Sequence, residues 1–122
     1  MWQKQGNIGV GEAICYFAGI GYTVSIPLND SQYYDLIVEK DGKLQTVQVK
    51  TSSFEVGGTT RVTVKSSTKT PGGTKHYKYL DKRLDLIFVF DILNKKRYLI
   101  DSTEGLPKTQ WKLDSKFEKF LI

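Results

Sequence analysis

The apolar positions of the chain change period several times, and each change marks a boundary between elements. Val10, Ile14, Phe17 and Ala18 keep helical spacing behind Asn7, a fair N-cap. A helix is therefore expected over residues 8 to 19, stopped by Gly19 and Gly21. Tyr22 to Ile26 reads as a short strand ending at Pro27, and residues 28 to 33 as a polar loop. Two alternating runs, Tyr34 to Lys40 and Lys43 to Lys50, flank Asp41-Gly42, the strongest hairpin signal in the chain. Arg61 to Ser66 alternates like a further strand. Thr68 to Thr74, with Pro71-Gly72-Gly73 inside it, reads as a loop, and His76 to Leu84 as a short helix. Asp85 to Asp91 is an apolar strand, turned by Asn94-Lys95 into a last strand, Lys96 to Asp101. A short helix from Asp114 to Leu121 would pack Phe117, Phe120 and Leu121. This order predicts an α/β fold, a mixed central β-sheet flanked by helices. The expected core is Ile14, Phe17, Val24, Leu36, Val38, Val47, Val49, Leu86, Phe88 and Phe90.

The hairpin carries the chemistry. With Asp41 and Gly42 as its loop, Lys40 pairs with Lys43 and Asp35 falls opposite Gln48. Opposed residues share a face, with Cβ atoms about 5 Å apart. Lys50, two residues beyond Gln48, lies on that face as well. Leu36, Val38, Val47 and Val49 take the other face, which is core. One face thus sets a carboxylate, an amide and an ammonium side by side. Carboxylate and amide oxygens are hard donors of the kind Mg²⁺ accepts. An ammonium beside them suits the charge that grows on a phosphate under attack. The plainer reading is a surface salt bridge between Asp35 and Lys50, with Gln48 as a neighbour. Glu12 bears on that choice. It is the only charged residue between Lys4 and Asp30, flanked by Gly9 and Gly11. A favourable charge near a helix N-terminus is one role for it. Partial burial would instead require a partner or a metal.

The length of 122 residues fits one domain, 1–122, large enough for a core without staples. Cys15 is the only cysteine, so an internal disulfide is excluded, and it is expected to pack in the core. His76 is the only histidine, which leaves no histidine-based metal site or catalytic triad. No signal-peptide pattern opens the chain, and the longest apolar run, Leu86 to Phe90, is far too short for a bilayer. The expectation is an intracellular, cytoplasmic protein. The net charge is +5. It is concentrated between Lys50 and Arg83, where eight basic residues face two acidic ones, Glu55 and Asp81, a local balance of +6. A lysine-rich edge strand also guards against aggregation, but this density, interleaved with Thr and Ser, suits phosphate oxygens. Arg61, Lys65, Lys69, Lys75, His76 and Lys78 are the candidate DNA contacts there. Thr51, Ser52 and Ser53, directly after Lys50, are candidates nearer the chemistry.

Gly-Val-Gly-Glu12 on the first helix, Tyr-Asp35 opening a strand, and Gln48-Val49-Lys50 on the next strand resemble the PD-(D/E)XK nuclease superfamily. The resemblance covers roughly residues 6 to 53. Within it, the stretches Gly21 to Pro27, Tyr34 to Val38 and Val47 to Ser52 look closest to the group I intron-encoded homing endonucleases of this fold. The archaeal Holliday junction resolvases share the layout more distantly. Tyr34 stands where the motif name has Pro, and Gln48 where Asp or Glu is usual; the homing subgroup is similar in using Gln. The resemblance implies a restriction-endonuclease-like core and a metal-dependent DNA endonuclease using Mg²⁺, with Mn²⁺ as a substitute. It implies Glu12, Asp35, Gln48 and Lys50 as catalytic residues, and Asp35, Glu12, Gln48 and the Val49 carbonyl as metal ligands. The partners it implies are double-stranded or branched DNA and further copies of the chain, as a dimer or tetramer. The alternatives are a Holliday junction resolvase and a DNA-binding module that has lost its metal chemistry through Gln48.

Overall fold

The computed structural model describes residues 2–29, 33–63, 65–70, 73–78, 84–107 and 110–122. An α-helix, α1 (Trp2–Gly19), leads into β1 (Thr23–Ser25). The hairpin strands follow as β2 (Leu36–Lys40) and β3 (Lys43–Ser52). Then come β4 (Phe54–Val56), β5 (Thr59–Thr63), β6 (Lys65–Thr70) and β7 (Gly73–Lys78). The chain returns through β8 (Leu86–Asp91) and β9 (Lys96–Asp101), and ends in β10 (Gln110–Lys112) and a 3₁₀ helix, Ser115–Phe120.

The main sheet has the order β1-β2-β3-β8-β9. β3 and β8 run parallel, and the other three pairings are antiparallel. The sheet is therefore mixed, as expected. The hairpin register is the expected one, Lys40 with Lys43 through Leu36 with Val47. Asp41 and Gly42 both take positive φ, 53° and 83°, the conformation a two-residue hairpin turn requires. The start of β8 is tied to the hairpin by a reciprocal pair: Thr46 N–H donates to Asp85 Oδ2 at 2.9 Å, and Asp85 N–H donates to Thr46 Oγ1 at 3.0 Å.

Both faces of this sheet are covered, by different means. On one, α1 lays Ala13 and Phe17 over Leu36, Val38, Val47, Val49, Phe88 and Phe90. Helix and sheet meet closely at Gly9, where a Cβ would collide with Thr51 Oγ1 and lie 3.2 Å from Val49 Cγ1. On the other face, a three-stranded sheet of order β10-β5-β4 and the 3₁₀ helix bury Val62, Trp111, Phe117 and Phe120 against Ile87, Val89, Tyr98 and Ile100. Among the described residues, that sheet stands where a second flanking helix was expected.

Several local expectations are corrected. The helix starts at Trp2, so Asn7 lies inside it and caps nothing. Cys15 is exposed and does not pack in the core. Ile14, Val24 and Leu86 are only half-buried at the core's edge. The Arg61 to Ser66 run is split between β5 and β6. Residues 68–70 and 73–74 belong to the β6–β7 hairpin and not to a loop, and His76–Lys78 is strand where a helix was expected. Residues 79–83 of that expected helix lie outside the described residues. Lysine, serine and threonine fill this stretch, so it shows no hydrophobic period from which a hairpin can be read.

Candidate active site

Asp35 stands one residue before β2, at the point where the hairpin pairing ends. Its own N–H donates to the Val47 carbonyl at 2.8 Å, which pins its backbone to β3. Its Oδ2 accepts two hydrogen bonds, 2.7 Å from Val49 N–H and 2.9 Å from Gln48 Nε2. The N–H and C=O of one residue in a ladder point to the same edge. The Val49 carbonyl therefore looks out on the edge that Asp35 occupies. Asp35, Gln48 and Lys50 are all half-buried.

The cause of that burial is the second layer. Even-numbered residues of β3 face the β10-β5-β4 sheet, and Ser52, two residues beyond Lys50, is 2% exposed beneath it. Burial moves both ionisable groups away from their charged forms. The Asp35 carboxyl is raised by desolvation, more than the Val49 N–H bond and the Lys50 charge lower it. The Lys50 ammonium is lowered to about 8 by desolvation, against the pull of Asp35. Ionisable groups displaced from their ordinary pKa cluster at functional sites, which makes this pair the candidate.

No group of three or more His, Cys, Asp or Glu side chains gathers among the described residues to hold a metal. Gln48, hydrogen-bonded to Asp35, offers an oxygen but no charge. The donors present are a carboxylate, an amide oxygen and a backbone carbonyl, all hard oxygen ligands that match Mg²⁺ or Mn²⁺. The uncompensated burial of Asp35 is what a nearby cation would relieve, so the residues fit the group.

The remaining candidates are placed unevenly. Glu12 is half-buried next to Ala13, one helical turn beyond the contact at Gly9. It makes no hydrogen bond to Asp35 or Gln48 among the described residues. Thr51 is half-buried at the Gly9 contact. Ser53 donates its hydroxyl to Gln5 Oε1 at 3.1 Å. Ser52 is not where a DNA contact requires it: it is buried, and its hydroxyl is spent on the Arg61 carbonyl. Arg61 is half-buried in β5, its guanidinium 3.5 Å from Gln110 Oε1. Lys65, Lys69, Lys75, His76 and Lys78 lie on the paired strands β6 and β7; their side chains are outside the described part. A cleft of about 310 Å³ opens beside Lys50, lined also by Gln5, Gly6, Thr51, Phe54 and Thr63. Gln5, Phe54 and Thr63 had no signal in the sequence, because β4, β5 and the first turns of α1 meet there only on folding.

A family model described as PD-(D/E)XK endonuclease matches residues 1–113. The chain belongs to the PD-(D/E)XK endonuclease family. It is a nuclease. Among solved structures, a bacterial homing endonuclease, I-Ssp6803I, matches with a TM-score of 0.81 and 23% identity, over 93% of this chain and 78% of that one. That likeness fixes the restriction-endonuclease-like fold. No curated protein matches the chain. Among the described residues, no helix is long and apolar enough to cross a membrane.

Proposed function

We propose that this chain is a divalent-metal-dependent DNA endonuclease of the homing type, acting on duplex DNA as a homodimer or homotetramer inside the cell. The observation that carries the reading is the Asp35 carboxylate, fixed by Val49 N–H and the Gln48 amide beside a half-buried Lys50. The fold-level likeness to a homing endonuclease supports that type over a junction resolvase.

Asp35, the Gln48 amide oxygen and the Val49 carbonyl are the residues that would hold Mg²⁺ or Mn²⁺, with Glu12 joining directly or through water. When bound, the cation supplies water activation and neutralises phosphate charge. Lys50 serves the attacking water and offsets charge on the phosphoryl oxygens; its partial burial strengthens both effects by excluding solvent. Gln48 holds one oxygen of Asp35 through its NH₂. The products are a 5′-phosphate and a 3′-hydroxyl. Thr51 and Ser53 adjoin the cut, and the basic stretch from Arg61 to Lys78 grips the backbone. One small domain carries one hairpin site, so cutting both strands of a duplex calls for two-fold related copies.

The test is cleavage of supercoiled plasmid, linear duplex and a four-way junction under Mg²⁺ and Mn²⁺, with Asp35→Ala and Lys50→Ala beside the parent. Metal-dependent cutting of duplex, lost in both variants, is expected. Preference for the four-way junction would make the protein a resolvase. Salt-sensitive binding with no cutting under either metal would leave a DNA-binding module.

A further inference from the structure

The cleft opens against Val49 and Lys50 and runs on past the groups that the phosphate chemistry uses, to Gln5, Gly6, Thr51, Phe54 and Thr63. Its volume of about 310 Å³ is at the low end of small-molecule sites, too small for a duplex segment and suited to a single nucleotide. Its lining is mixed. Lys50 supplies a cation, Gln5, Thr51 and Thr63 supply hydrogen-bonding groups, and Phe54, a residue 42% exposed on a strand, supplies a ring. An exposed aromatic ring over a cationic, hydroxyl-lined hollow is the combination that takes a base and its phosphate.

Two local features keep the hollow open. Ser53 holds Gln5 to the wall with a 3.1 Å hydrogen bond. Gly6 leaves the mouth without a side chain: a Cβ placed there meets no described atom within 4 Å. Three residues on, Gly9 is closed against β3. The helix therefore closes on the strand at Gly9, while Gly6, which lines the cleft, has open space where a side chain would stand.

We propose that this cleft is a nucleotide subsite: one nucleotide adjoining the scissile phosphate enters it, with its base against Phe54 and its phosphate toward Lys50. The inference rests on the endonuclease reading and adds to it a positioning residue, Phe54, and a gatekeeping position, Gly6.

The experiment uses the full chain and duplex substrates carrying a single abasic site at successive positions around the cut. In the parent, removing the base at one flanking position slows cleavage about tenfold, the size of one base–aromatic stack. Phe54→Ala slows the intact substrate by a similar factor and is indifferent to that abasic site, whereas Phe54→Trp restores both rate and sensitivity. Gly6→Leu raises or preserves the melting temperature, because a helical glycine is replaced by a good helix former, yet cuts at least tenfold more slowly. An active parent whose cleavage ignores Gly6→Leu, or whose Phe54→Ala variant keeps the position-specific penalty, overturns the subsite alone. A parent that binds plasmid but cuts nothing under either metal overturns the endonuclease reading and the subsite with it.

Discussion

Val49 N–H reaches Asp35 Oδ2 at 2.7 Å, so the residue between the two motif side chains of β3 is what fixes the carboxylate. The bond comes from the backbone, so no side-chain substitution on β3 removes it. Asp35→Asn keeps an oxygen for Val49 N–H to find while deleting the charge. Because burial disfavours the ionised carboxyl, this variant is expected to melt at or above the parent's temperature in EDTA. It should nonetheless lose about 100-fold or more in cleavage, together with any Mg²⁺-induced rise in melting temperature. Paired thermal and cleavage measurements with and without metal check this.

Gln48 tests the same balance from the other side. Gln48→Glu replaces a hydrogen-bond donor to Asp35 with a second negative charge. Two half-buried carboxylates repel, so the metal-free variant should be less stable, by about 1–3 kcal/mol for the lost bond and the new charge. A divalent cation reverses the sign of that interaction. The expected outcome is a larger Mg²⁺-induced rise in melting temperature than in the parent, and half-maximal activity at lower Mg²⁺. A smaller rise would count against Gln48 lying at the metal.

The hairpin was legible because a two-residue Asp41-Gly42 loop leaves one register, and that register alone put Asp35 beside Gln48 and Lys50. The pairing of β3 with β8 and the β10-β5-β4 sheet was not legible. β4 and β10 are three residues each, too short for a period to show, and β10 returns from nearly fifty residues away to pair with β5. Missing that layer is why Ser52 was read as a surface hydroxyl, although it lies beneath the layer with its hydroxyl bonded to the Arg61 carbonyl. It is also why Phe54 and the cleft went unseen. The polar residues and the glycine before residue 8 hide the first turns of the helix, so the sequence places it only over residues 8 to 19, behind an Asn7 cap. Gly9, which the sequence presents only as a neighbour of Glu12, proves to be a point where α1 and β3 leave no room for a side chain.

Lys50 gives a pH dependence with a definite sign. Its folded pKa is about 8 against an ordinary 10.5. Between those values the unfolded chain holds more protons than the folded one, so stability from this group rises as pH increases through that window. Below about pH 8 the folded state carries the full cost of burying the ammonium. In EDTA, Lys50→Met should therefore be more stable than the parent near pH 7, with the gap narrowing toward pH 10. Urea melts across pH 7 to 10 measure it, and a gap that widens with pH would contradict the assignment.

Gly9 and Gly11 separate packing from propensity on one helix. Alanine at either position gains up to about 1 kcal/mol of helix propensity. At Gly11 the new methyl meets no described atom within 4 Å, so Gly11→Ala should raise the melting temperature. At Gly9 it collides with Thr51 Oγ1 and presses on Val49, the residue that holds Asp35. Overpacking of this kind costs about 1–3 kcal/mol. Gly9→Ala should thus destabilise the fold and slow cleavage together, as thermal melts and cleavage rates on the two variants would report.

The β6–β7 register divides the basic residues that the sequence presents as one group. Lys65 pairs with Lys78, Ser67 with His76, and Lys69 with Thr74, and these pairs alternate with Ser66–Tyr77, Thr68–Lys75 and Thr70–Gly73. Opposed residues share a face of a two-stranded ribbon. One face therefore holds the positions of Lys65, Lys69, His76 and Lys78, and the other holds Lys75 alone among the basic residues. If the ribbon grips DNA through its basic face, each lysine there neutralises one phosphate and contributes about 0.9 to the slope of log affinity against log salt. Lys65→Ala, Lys69→Ala and Lys78→Ala should each flatten that slope by about this amount, while Lys75→Ala leaves it near the parent value. Filter-binding titrations of plasmid across a salt series, under non-cleaving conditions, give the slopes directly. Equal flattening by all four substitutions would mean that the DNA wraps both faces and that the register does not choose between them.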